Sequence, residues 1–129
     1  MTPKIQQLKL SNLFYLTDTH VNTLVSRCTR LSALDLSRNQ NITNKSLTSI
    51  TGNLNSTLEK LNLSRTNIRP GVGCAKIIEE LRLLQKLQFL HFKQYEKTTY
   101  GHMKTLKNQL PQVNINQEKL RIAGKKRVS

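Results

Sequence analysis

Leu31-Ser32-Ala33-Leu34-Asp35-Leu36-Ser37-Arg38-Asn39 is answered by Leu58-Glu59-Lys60-Leu61-Asn62-Leu63-Ser64-Arg65-Thr66, the same phrase begun 27 residues later. Within each copy the leucines are spaced three and then two apart. The pairs Leu34-x-Leu36 and Leu61-x-Leu63 alternate as a half-buried strand does, which turns Ala33, Asp35 and Ser37 to one face and the leucines to the other. A fixed period in the twenties predicts a repeat architecture, in which each unit buries its apolar side against its neighbours.

Further copies lie on both sides. Ile5-x-x-Leu8-x-Leu10 opens a first unit 26 residues before Leu31, and Thr17-Asp18 offers a helix start with a capping hydroxyl and an acid in the first turn. Val21, Leu24, Val25 and Cys28 then make one apolar helical stripe. In the second unit Thr43 is the candidate cap and Leu47, Ile50 and Leu54 the stripe. In the third, Arg69-Pro70-Gly71 places proline at the first helical position, where its missing N–H does no harm, ahead of a stripe of Cys74, Ile77, Ile78, Leu81 and Leu84. This is the strongest helical pattern in the chain. A fourth unit starts at Leu87-x-x-Leu90-x-Phe92, with Tyr95 out of pattern. Its helix runs through Tyr100, Met103, Leu106 and Leu110 to a stop at Pro111. Val113 and Ile115 form a short fifth strand. The expected fold is α/β, about four strand-helix units plus a terminal strand over residues 1–116, followed by a basic tail over 117–129, with Leu120 and Ile122 set to cover the last unit.

Cys28-Thr29-Arg30-Leu31-x-x-Leu34-x-Leu36, then Ile42-Thr43-x-x-Ser46-Leu47-x-x-Ile50, resembles the leucine-rich repeats of the cysteine-containing subtype found in F-box substrate receptors of ubiquitin ligases. Leu16-Thr17-Asp18-x-x-Val21-x-x-Leu24-x-x-x-Cys28 fits the same phrase. The resemblance covers residues 5–68 well and the fourth unit loosely. It implies a curved solenoid with a parallel sheet lining the concave face, and a protein partner held there. The subtype's second cysteine position is Asn39 in one unit and Thr66 in the next, polar residues suited to hydrogen-bonding the turn. Met1 precedes the first strand almost directly, so no F-box fits upstream and docking to the cullin-ligase adaptor is not implied. A ligase role requires a second chain or a longer gene product. In a fragment of a longer receptor, or beside another subunit, the N-terminal edge around Leu8 and Leu10 would be covered.

Composition narrows the partners. Of 129 residues, 21 are Lys or Arg and 7 are Asp or Glu, a formal net charge of +14, which favours an anionic partner: nucleic acid, an acidic protein or a lipid surface. The apolar fraction is 36% with 5% aromatics, so the core must be Leu, Ile and Val. No apolar run is long enough to span a membrane, and the opening residues lack the apolar core of a secretory signal. Cys28 and Cys74 have no metal-ligand spacing and read as buried, reduced thiols of an intracellular protein, cytoplasmic or nuclear.

The candidate site follows from the strand faces. Across the sheet the outward residues form three rows: Gln7, Ala33, Lys60, Phe89 and Gln112; Lys9, Asp35, Asn62, His91 and Asn114; Ser11, Ser37, Ser64, Lys93 and Asn116. Lys9, Asp35, Lys60, Asn62, Phe89, His91 and Lys93 are the candidate partner-binding residues, richest at the Lys60, Phe89, His91, Lys93 corner. The plainer reading is a solvated strip whose serines are the habit of the repeat.

A second surface, for RNA or a ribonucleoprotein, is Arg38, Arg65, Arg69, Lys125, Lys126 and Arg127. Arg38 and Arg65 hold equivalent places in adjacent units, just past the strands. The sequence contains no RNA-recognition, zinc-finger or helix-turn-helix phrase, and a solvated basic surface explains the same charge. No catalytic set is expected. His20, His91 and His102 share no spacing with a Cys or an acid, and His20 and His102 read as exposed helix residues. Gly71-Val72-Gly73 lacks the Lys-Ser/Thr of a phosphate loop and reads as a joint between units. Lys125-Lys126-Arg127 is a weak nuclear signal. No metal or cofactor is expected. The function expected is a non-enzymatic scaffold, with a basic accessory subunit of an RNA assembly as the alternative.

Overall fold

The structure is a computed structural model that describes residues 4–71, 74–94 and 100–116, with the side chains of Tyr100 and Gly101 excepted. Strand β1 (Gln7–Lys9) leads to helix α1 (Asp18–Arg27), then β2 (Ala33–Asp35), α2 (Asn44–Asn53), β3 (Lys60–Asn62), α3 (Ala75–Leu81), β4 (Phe89–His91), α4 (Tyr100–Gln109) and β5 (Asn114–Ile115). The five strands form one parallel sheet in chain order, β1-β2-β3-β4-β5. Every crossover steps to the next strand in the same direction. Such crossovers are right-handed, so the helices fall on one face of the sheet and leave the other open.

The register follows the repeat. Leu8 faces Leu34, Leu34 faces Leu61, and Leu61 faces Leu90. These leucines point into one core with Val21 and Val25 of α1, Leu47 and Ile50 of α2, and Ile77, Ile78 and Leu81 of α3. Leu31, Leu58 and Leu87, which open the phrase in units two to four, are buried, whereas Ile5, their counterpart in unit one, is 44% exposed. Both cysteines are buried and free.

Three expectations change. The stripe from Cys74 to Leu84 folds as a helix of only seven residues, and Pro70 is not at its first position. The reason is backbone shape: Gly71 and Cys74 both take positive φ, 73° and 59°, which breaks the helical run before Ala75. Cys74 still reaches the core, and burial pushes its thiol pKa up.

The second change is at β5, which pairs Asn114 with Phe89 and Ile115 with Leu90, two residues along from the expected rows. Gln112 is therefore not opposite Phe89, nor Asn114 opposite His91. Leu110 closes α4 and is itself buried, so Val113, half-buried, is spent in the turn (its N–H donates to the Leu110 carbonyl, 3.1 Å) and Ile115 takes the core position of the strand. The third is His102, half-buried rather than exposed, where α4 lies over Cys74 with Sγ 4.0 Å from the His102 carbonyl. Tyr95, Leu120, Ile122 and the whole 117–129 tail lie outside the described residues.

Polar side chains tie each unit to the next. Asp18 accepts from the Thr43 N–H (2.8 Å), the Thr43 hydroxyl (2.6 Å) and the Ser46 hydroxyl (2.6 Å), so the acid that opens α1 also anchors the start of α2. Burial alone would raise its pKa. The donors from Ser46 and Thr43, with the charge of Lys45, outweigh it and hold the carboxyl below its ordinary 3.8. Asn44 repeats the arrangement one unit on, exchanging two hydrogen bonds with the Arg69 backbone. Asn39 is fully buried: its Nδ2 donates to the Leu10 and Leu36 carbonyls and its Oδ1 accepts from the Leu13 N–H. In the next unit Thr66 shares that work with Gln94, which accepts from the Thr66 N–H and donates to the Ile68 carbonyl.

Candidate functional site

On the open face the side chains between the core leucines line up as the register dictates. Gln7, Ala33, Lys60 and Phe89 form one row, and Lys9, Asp35, Asn62 and His91 the next. Beyond the strands the ladder continues for one more row, because Asn12, Arg38 and Arg65 donate their N–H groups to the carbonyls of Ser37, Ser64 and Lys93. To turn away from the sheet while keeping those bonds, all three residues adopt positive φ of 58–62°, with Arg38 at 61° and Arg65 at 58°.

Two grooves result. The first, of about 470 Å³, runs across β1 to β4 and brings together Lys9, Asp35, Lys60, Asn62, Phe89 and His91 of the predicted set. Lys60 Nζ stands 5.7 Å from the centre of the Phe89 ring, a cation–π approach between adjacent strands. Phe89 and His91 are half-buried and Lys60 is exposed, so the corner offers an apolar surface with a positive charge above it. One oxygen of Asp35 is engaged: its Oδ1 takes both the N–H (2.9 Å) and the hydroxyl (2.6 Å) of Ser37. Lys93 is exposed but lies a row further out, outside this groove, its N–H donating to the Ser64 hydroxyl.

The second groove, of about 400 Å³, sits at the carboxyl ends of β1 to β3 and is lined by Lys9, Ser11, Asp35, Ser37, Arg38, Asn62, Ser64 and Arg65. It joins Arg38 and Arg65 as their equivalent places in the phrase require. Arg69 stands apart, its Nε bonded to the Asn67 side chain at 3.0 Å. Lys125, Lys126 and Arg127 lie outside the described residues. His20 is exposed, and its Nδ1 accepts from the Thr17 N–H at 3.0 Å, a helix-capping role.

Sequence reasoning overlooked Phe14 and Tyr15. They are 83% and 61% exposed, with ring centres 5.8 Å apart and planes at 81°. The pattern contained a signal: they fall between Leu13 and Leu16, where the second unit has the polar pair Gln40 and Asn41. Among the described residues no three His, Cys, Asp or Glu side chains gather as a metal site, and no helix is long and apolar enough to cross a membrane. No protein-family model matches the chain, and no curated protein sequence matches it closely.

Proposed function

We propose that this chain is a leucine-rich-repeat scaffold, not an enzyme, which holds a protein partner against the open, concave face of its sheet. The observation that carries the reading is the first groove, where Lys60, Phe89 and His91 converge from two strands. Rigid aromatic and basic side chains set on a regular frame are the usual anchors of protein interfaces. The groove has the breadth of four strands, roughly 15 Å at the strand spacing, which suits a loop or extended segment of a partner. The resemblance to the repeats of ubiquitin-ligase receptors extends the proposal to substrate recognition, with ligase docking supplied by another segment or chain.

The test is capture by the full chain against capture by Phe89→Ala/His91→Ala, with thermal melting to confirm that the variant folds. Both side chains are half-buried on the open side, so the fold should survive. Loss of a defined protein set on substitution supports the reading, and cullin-ligase components within that set support the receptor role. Equal recovery from both proteins overturns the concave-face assignment.

A further inference from the structure

The loops at the carboxyl ends of the strands form a groove that shares Lys9, Asp35 and Asn62 with the first but not Lys60, Phe89 or His91, and its chemistry differs. Two acids among the described residues are engaged: Asp18 accepts from Thr43 and Ser46, and Asp35 accepts from Ser37 on Oδ1. Lys9, Arg38 and Arg65 are exposed around a groove whose remaining lining is the Ser11, Ser37 and Ser64 hydroxyls, the Asn62 amide and the Asp35 carboxylate. Three residues beyond Ser11 of that groove come Phe14 and Tyr15, the most exposed large apolar side chains among the described residues. The Asn41 amide donates to the Phe14 carbonyl at 2.7 Å, and Asn39 holds the Leu13 N–H, so the aromatic loop is fastened to the unit that carries Arg38.

We infer that this margin binds single-stranded RNA, with bases stacked on Phe14 and Tyr15 and phosphates on Arg38 and Arg65. The proposal is independent of the concave-face reading. Exposed rings on the loop that leads on from Ser11 of a basic groove supply the two parts that single-strand binding requires. A duplex keeps its bases stacked on each other and has no use for the rings. Ribose is favoured because the groove offers the Ser11 and Ser64 hydroxyls, the Asn62 amide and the Oδ2 oxygen of Asp35, the one not held by Ser37, as partners for a 2′-hydroxyl, and a carboxylate repels phosphate but accepts from a hydroxyl. The net charge of +14 supplies the long-range attraction.

The test is fluorescence anisotropy with the full 129-residue chain and a labelled single-stranded RNA about 15 nucleotides long, over a salt series. Parallel arms use DNA of the same sequence, duplex RNA and a polyglutamate peptide. Expected are tighter binding to the single-stranded RNA than to any other arm and a loss of about tenfold for each of Phe14→Ala and Tyr15→Ala at fixed salt. Arg38→Asn/Arg65→Asn keeps residues that tolerate positive φ and should flatten the plot of log affinity against log salt by about 1.4, the share of two phosphates on a single strand. Unchanged affinity in both ring variants overturns the stacking surface. Equal binding of duplex or polyglutamate reduces the margin to undirected charge, equal binding of DNA overturns the choice of RNA, and an unchanged salt slope removes the arginines from the site.

Discussion

Arg38 occupies a conformation that its side chain disfavours. At φ 61° the Cβ crowds the backbone, at a cost of about 1 kcal/mol for a residue other than glycine or asparagine. The strain persists because its N–H must reach the Ser64 carbonyl at 2.9 Å while the chain leaves the sheet. Arg38→Asn should therefore raise stability by up to about 1 kcal/mol, read from the urea midpoint at unchanged slope. A second residue-level test concerns Asp18. Its carboxyl is held below its unfolded pKa of about 3.9, so its contribution is complete above that value and is lost as pH falls through the folded value. Asp18→Asn should cost about 1–2 kcal/mol at neutral pH, where charged acceptors are worth more than neutral ones. The gap between wild type and variant should close on acidification from pH 5 towards pH 3, followed by thermal melting at each pH.

Individual elements rest on very short strands, two or three residues each, so the turns between them carry much of the geometry. Asn39 is the joint between the first two units: it binds Leu10 and Leu13 of one and Leu36 of the other, with no exposure to water. Asn39→Ala strands those buried groups and should cost about 2–4 kcal/mol, with amide exchange at Leu13 accelerated well beyond that at Leu63. The elements most legible from sequence were those whose leucine phrase is intact. The first four strands and their register follow from Leu8, Leu34, Leu61 and Leu90, and Thr17 and Thr43 mark the starts of α1 and α2. Periodicity misjudged α3, because apolar spacing does not report the positive φ at Gly71 and Cys74. It misplaced β5, because Val113 and Ile115 are both apolar and only the packing of Leu110 decides which one enters the strand. The open-face corner was legible since register alone assembles it, whereas Phe14 and Tyr15 escaped because they break the repeat rather than obey it.

At the scale of the whole molecule, sequential strand order means that each unit touches only its neighbours, so the position of a defect decides how far it spreads. Leu61 is 1% exposed in the middle strand, between Leu34 and Leu90. Ile115 is equally buried but pairs on one side only, with Leu90. Truncating either removes a similar volume and leaves a cavity worth about 2–5 kcal/mol. Leu61→Ala removes the contact through which the first two units support the last two. It should lower amide protection in β1, β2, β4 and β5 together, and lower the thermal midpoint as one transition. Ile115→Ala should loosen α4 and β5 while β1 and β2 keep most of their protection, because β3 and β4 stand between them and the defect. Hydrogen exchange on the two variants separates the cases: equal, uniform loss in both would show that the chain folds as a single cooperative block rather than as a stack of supporting units.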